Sequence, residues 1–151
     1  MSARTKARKR ALDLLYAADV RHTPVTELLE AEAKRAAGEP DRQASWLYAR
    51  EIVDGVVDHS VEIDDLIAEN ATGWTIQRMP AVDRALLRLA VWEIVYNPEV
   101  PTAVAIDEAV EAAKSLSTDD SASFVHGVLA AVARATGANH APPAGSPSPE
   151  R

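Results

Sequence analysis

The stretch LLRLAVWEIVY, Leu86 to Tyr96, is apolar at nine of eleven positions, with only Arg88 and Glu93 as polar interruptions. A helix apolar on nearly all sides has to be surrounded by other elements, so this one reads as the central helix of a bundle. A buried strand has the same composition, but the length of the run and Pro80 near its start favour helix.

The segments around it supply the walls. Downstream, Thr102 to Leu116 sets Asp107, Glu108, Glu111, Lys114 and Ser115 on one face. Val104, Ile106, Val110, Ala113 and Leu116 lie on the others, which predicts an amphipathic helix. A last helix is expected from about Asp119 to Ala135 with Val125, Val128, Leu129 and Val132 inward, and Gly127 within it to allow close helix approach, at about 1 kcal/mol relative to alanine. Upstream, Leu12, Leu15, Tyr16 and Val20 recur at helical spacing and predict a first helix over about residues 4–21. Asp41 to His59 places Leu47, Val53, Val56 and Val57 among polar positions, with Asp41 as its cap. Ser60 is expected to cap a short helix carrying Ile63, Leu66 and Ile67. No strand-like alternation and no repeat stands out. The expectation is an all-α compact domain of about seven helices over residues 1–136. After Gly137, four prolines and almost nothing apolar beyond alanine predict a disordered Pro-rich tail over 137–151, because such a segment buries too little to offset its ordering entropy.

At 151 residues the chain suits one domain with a proper core. The absence of cysteine excludes disulfides and thiolate metal sites. No signal-peptide stretch and no run of about 20 apolar residues is present, so the expectation is a soluble, cytoplasmic protein without a membrane span. Catalytic signals are missing as well. His22, His59, His126 and His140 are scattered, and the six glycines follow neither Rossmann nor P-loop spacing. Asp64-Asp65 and Asp119-Asp120 are acidic pairs, but adjacent carboxylates on a helix diverge by about 100° and near helix starts they serve the macrodipole. We expect no enzyme, no cofactor and no metal.

The most informative charge feature is the start. Arg4, Lys6, Arg8, Lys9 and Arg10 fall within ten residues that contain no acid, in a chain of net charge −7. A short basic cluster on an acidic body is the footprint of a polyanion contact; the competing reading is a solvated N-terminus. Wound as a helix, Lys6, Lys9 and Arg10 share one face while Arg4 and Arg8 share another. Selective reading of single-stranded RNA needs bases stacked on aromatic planes. Tyr16 and Phe124 are candidates, with a place in the core as the alternative for each.

Several motifs occur in order: Asp83-Arg84-Ala85-Leu86-Leu87-Arg88, the Val100-Pro101 hinge, Val104-Ala105-Ile106-Asp107-Glu108-Ala109, Ala113-Lys114 and Phe124-Val125-His126-Gly127-Val128-Leu129. With the arginine-rich first helix they make residues 4–135 resemble the NusB family of transcription antitermination factors. Asp107 and His126 depart from it, standing where the family often has asparagine, as does the long proline-rich tail. The resemblance implies two packed helical subdomains, one from each half of the chain. It implies a factor that binds the boxA element of ribosomal RNA transcripts together with the ribosomal protein NusE, joins other Nus factors on RNA polymerase and prevents premature termination. Arg4, Lys6, Arg8, Lys9 and Arg10 are then expected to grip RNA phosphates, with Asp120 and Phe124 on the same surface. Tyr16, Val20 and Asp83 are expected to face NusE. Exposed apolar positions on the first helix also suit a homodimer. Two alternatives stand beside this reading: an RNA-binding domain related to the start of ribosomal RNA cytosine methyltransferases, and a purely protein-interaction helical module.

Overall fold

In the computed structural model, which describes residues 2–39 and 42–141, Leu86 to Tyr96 is the body of one helix enclosed by others. Seven α-helices are described: α1 (Ala3–Arg21), α2 (Val25–Ala37), α3 (Gln43–Asp58), α4 (Ser60–Asn70), α5 (Ala81–Tyr96), α6 (Thr102–Leu116) and α7 (Asp119–Thr136). A single 3-10 turn, Ile76–Arg78, interrupts the α4–α5 connection. There is no strand among the described residues.

Helices α1, α2 and α3 pack on one another, and α5, α6 and α7 form a second group with α4 against α5 and α7. Helix α5 joins the two, since it also packs on α1 and α3. That central position explains its composition: Leu87, Val91 and Ile94 are fully buried, and each such side chain contributes about 1.5–3 kcal/mol of hydrophobic stabilisation. The inward faces expected of α1 and α7 hold for Leu12, Leu15, Val125, Val128, Leu129 and Val132, all buried.

Several expectations are corrected. The buried stripe of α3 is Trp46, Ala49, Ile52, Val53 and Val56, which leaves Leu47 64% exposed and Val57 also in solvent, one position off that stripe. Leu116, the last residue of α6, is likewise exposed. Ser60 is the first residue of α4 and not its cap. His59 joins the two helices, its N–H bonding to the Gly55 carbonyl and its own carbonyl accepting from Ile63. The expected Asp41 cap lies outside the described residues. Among the described residues a Cβ at Gly127 would meet nothing within 4 Å, so no close approach between them depends on that glycine. The close approach is at Gly55, where a Cβ would sit 1.9 Å from Trp92 Nε1.

Beyond Gly137, which ends α7 in the left-handed region at φ +69°, the chain continues in contact with the domain. Thr102 N–H donates to the His140 carbonyl at 2.9 Å, and His140 N–H donates to Thr102 Oγ1 at 2.8 Å. The expected tail therefore starts as chain tied to α6, and its residues 142–151 lie outside the described residues.

Candidate nucleic-acid interface

Helix α1 begins with a proper cap, Ser2 Oγ accepting from Thr5 N–H at 3.0 Å, but has no acidic residue in its first turn. Cations at a helix N-terminus work against the macrodipole, by about 0.3–1 kcal/mol each. The cluster is thus not there for the helix's own sake. Lys6 and Lys9 are exposed, and Arg4 and Arg10 half-buried. Arg4 lies 3.7 Å from Glu99 and Arg10 3.7 Å from Glu32. The Arg4–Glu99 pair is long and opens to solvent at Glu99, so it contributes little, although Arg4 also lies over the Tyr48 ring at 5.3 Å; the Arg10–Glu32 pair is more covered.

Arg8 behaves differently. It is 6% exposed, and its Nε donates to Glu93 Oε1 at 2.9 Å and Oε2 at 3.0 Å. Glu93 is fully buried and also accepts from Tyr48 Oη at 2.5 Å, while Asn97 Nδ2 donates to Tyr48 Oη at 3.1 Å. Burial, and then the Glu93 carboxylate beside it, push the Tyr48 phenol far above the usual tyrosine range. The expected grip of Arg8 on RNA phosphate is corrected: its guanidinium is spent neutralising a carboxylate inside the domain. Glu93 was one of the two polar interruptions in the central helix, and this pair is the reason it can be there.

The second expected contact group is at the start of α7. Thr118 Oγ1 caps that helix by accepting from Ser121 N–H at 3.0 Å, and Asp119 and Asp120 in the first turn suit its dipole. Asp120 is exposed and Phe124 half-buried. The Phe124 ring meets Trp74 edge-on, centroids 6.3 Å apart at 62°. Trp74 is exposed in the α4–α5 connection; its place between breakers hid it from periodicity, and only its residue type could have flagged it.

Asp83 is a further correction. It is 2% exposed and accepts from Ser121 Oγ at 3.0 Å, while its Oδ1 has no hydrogen-bond partner among the described residues. Burial raises its pKa and the Ser121 hydrogen bond opposes that shift. A carboxylate in this position fixes α7 to α5 and presents nothing to a partner. Tyr16 and Val20, by contrast, are exposed on one face of α1.

The two RNA-directed groups do not meet. Helix α1 runs antiparallel to α5, with Arg8 at Glu93 and Asp19 at Arg84 (2.8 Å). Since Asp83 is level with Ser121, the basic start and the start of α7 lie at opposite ends of α5, roughly 15 Å apart by helix rise. A cleft of about 270 Å³ spans that length between α1 and α6, from Thr5 to Leu116. Leu12, Leu86, Leu89, Ala105 and Ala109 line it, together with the charged Lys9 and Glu111. Among the described residues no three acidic or histidine side chains are placed to hold a metal ion, and no helix is long and apolar enough to cross a membrane.

Comparison with known proteins gives consistent results. The NusB family model matches residues 5–134. The transcription antitermination protein NusB of Leifsonia xyli is 66% identical over 134 residues, covering 89% of this chain and 93% of that protein. Among solved structures, T. maritima NusB superposes with a TM-score of 0.75 at 32% identity, covering 87% of this chain and 90% of that one. The antitermination factors NusB and NusE have been crystallised in complex with double-stranded RNA, and a chain of that complex matches with a TM-score of 0.75 at 30% identity, over 88% of this chain and 97% of its own.

Proposed function

The chain belongs to the NusB family, and from that premise we propose that it is a non-catalytic transcription antitermination factor that takes up a boxA-like single strand of ribosomal RNA together with NusE. The observation that carries the RNA reading is the set of cations held at the positive end of α1, where helix electrostatics alone would have placed acids. Lys6 and Lys9, with Arg4 and Arg10 released from Glu99 and Glu32, neutralise phosphates and fix the strand's position without reading its sequence. Phe124 and Asp120 meet the strand at the other end of α5, one by stacking and one by accepting hydrogen bonds from base amino groups. Tyr16 and Val20 are the apolar contact for NusE, and the acidic balance of the chain favours a basic ribosomal protein beside it. Arg8 and Asp83 hold α1 and α7 in place for these contacts. Assembly with other Nus factors and RNA polymerase follows from the bound pair.

The test is fluorescence anisotropy of a labelled boxA-like single strand titrated with the full chain, with and without NusE. The strand is expected to bind, and NusE to tighten it. An unlabelled duplex of the same sequence is expected to compete poorly. A duplex that competes as well as the single strand would overturn the single-strand assignment, and no binding of either form at low salt would overturn the RNA role.

A further inference from the structure

We propose that the α4–α5 connection is a second RNA-reading element, in which Trp74 stacks on an unpaired base next to Phe124. This rests on the RNA reading above and adds a contact that the basic start cannot supply.

Three observations carry it. First, Trp46 and Trp92 are buried, whereas Trp74 is 51% exposed. Its backbone is set by a tight turn: Gly73 takes φ +82°, open to glycine at no steric cost, and Trp74 N–H donates to the Ala71 carbonyl at 3.3 Å. The ring's aromatic neighbour is Phe124, and an edge-to-face pair engages at most one ring face, so open π-surface remains for a base.

Second, the connection is pinned just after Trp74, over Ile76 to Met79, although its backbone is irregular. The Arg84 guanidinium donates through Nη1 to the carbonyls of Ile76 (3.1 Å), Gln77 (3.3 Å) and Met79 (2.7 Å), and through Nε to Asp19 (2.8 Å). Met79 anchors the far end in the core. A stacking ring carried on an anchored segment loses less ordering entropy on binding than one on a free loop. Arg78 stands exposed on the same turn, while Arg84 and Arg88 are occupied by Asp19 and Asp64.

Third, the local charge selects the occupant. Asp119 and Asp120 open α7 beside this pair and repel phosphate. A carboxylate accepts readily from the amino groups of cytosine or adenine, so this end suits bases while the start of α1 suits the backbone. The patch is one edge-to-face ring pair flanked by carboxylates, which fits a base better than a protein helix.

Because Trp46 and Trp92 are shielded, acrylamide quenching of tryptophan emission reports Trp74. Adding the boxA-like single strand to the full chain is expected to protect that emission. Trp74→Ala is expected to weaken the strand's binding about 5- to 160-fold, the range for losing one base–aromatic stack, while Trp74→Phe stays within about threefold of the unaltered chain. NusE affinity and helical circular dichroism should be unchanged in both variants. RNA affinity unaltered by Trp74→Ala, in a chain that otherwise binds RNA, would overturn this proposal and leave the basic-start reading intact. Loss of NusE binding in place of RNA binding would overturn it in favour of a protein contact. A chain that binds no RNA at all overturns both.

Discussion

Replacing Arg8 by methionine separates a structural cation from an RNA-binding one. In the folded domain Glu93 is fully buried and the Arg8 guanidinium, whose Nε donates to both carboxylate oxygens, is its counter-charge. Breaking a buried pair from one side leaves an uncompensated charge and costs about 3–5 kcal/mol. Total stability for a domain of this size is about 5–15 kcal/mol, so the loss is a large share of it. At about 2–4 °C per kcal/mol, the melting temperature should drop by about 6–20 °C. Urea unfolding followed by far-ultraviolet circular dichroism measures the first quantity and a thermal scan the second. Arg8→Met/Glu93→Gln removes the stranded charge while keeping an acceptor for Tyr48, and should recover about half the loss or more. RNA affinity of Arg8→Met, measured well below its melting point, should match the unaltered chain. The reasoning fails if the variant is within about 1 kcal/mol of the parent while its RNA salt slope flattens by about 0.7, the share of one phosphate contact on a single strand.

Other positions give independent checks. Gly55→Ala drives a Cβ into the Trp92 ring and should cost about 1–3 kcal/mol in urea unfolding, whereas a neutral result would show that α3 and α5 can separate freely. Gly127→Ala meets open space inside α7 and should stabilise by about 1 kcal/mol; a destabilised variant would reveal a contact on that face. Asp83 has its folded pKa raised above 3.8, chiefly by burial, so its contribution to stability is fully present below the unfolded value and is lost as pH rises through the folded one. Relative to the unaltered chain, Asp83→Asn should therefore gain stability from pH 4 towards pH 7, and an opposite trend in denaturant midpoints would reverse the sign of the argument.

What the sequence shows best is what one helix can show alone. The all-apolar run at Leu86–Tyr96 announces a surrounded helix, and the stripes of Leu12 and Leu15 and of Val125 to Val132 name their inward faces without reference to any partner. Where a second element decides the outcome, periodicity falls short. It places Arg8 and Arg4 on one face of α1 but says nothing of the carboxylate opposite. The available signal was Glu93, since a charge within an apolar helix demands a buried counter-charge. The same limit misassigned the close-packing glycine, because crowding at Gly55 is produced by Trp92 on another helix. The distance between the basic start and the start of α7 depends on α1 running antiparallel to α5, which no local pattern records. Trp74 lies in a turn of the α4–α5 connection closed on the Ala71 carbonyl, and turns carry no hydrophobic period.

The central claim is that RNA phosphates are taken up by the start of α1 through Arg4, Lys6, Lys9 and Arg10, with Arg8 excluded. Its most direct test is the dependence of RNA affinity on salt, for the unaltered chain and for a variant with those four residues replaced by alanine. Four single-strand phosphate contacts predict a slope of log K against log salt of about −3, falling close to zero in the variant. An equally steep slope in both chains would contradict the claim and move the phosphate contacts elsewhere on the molecule.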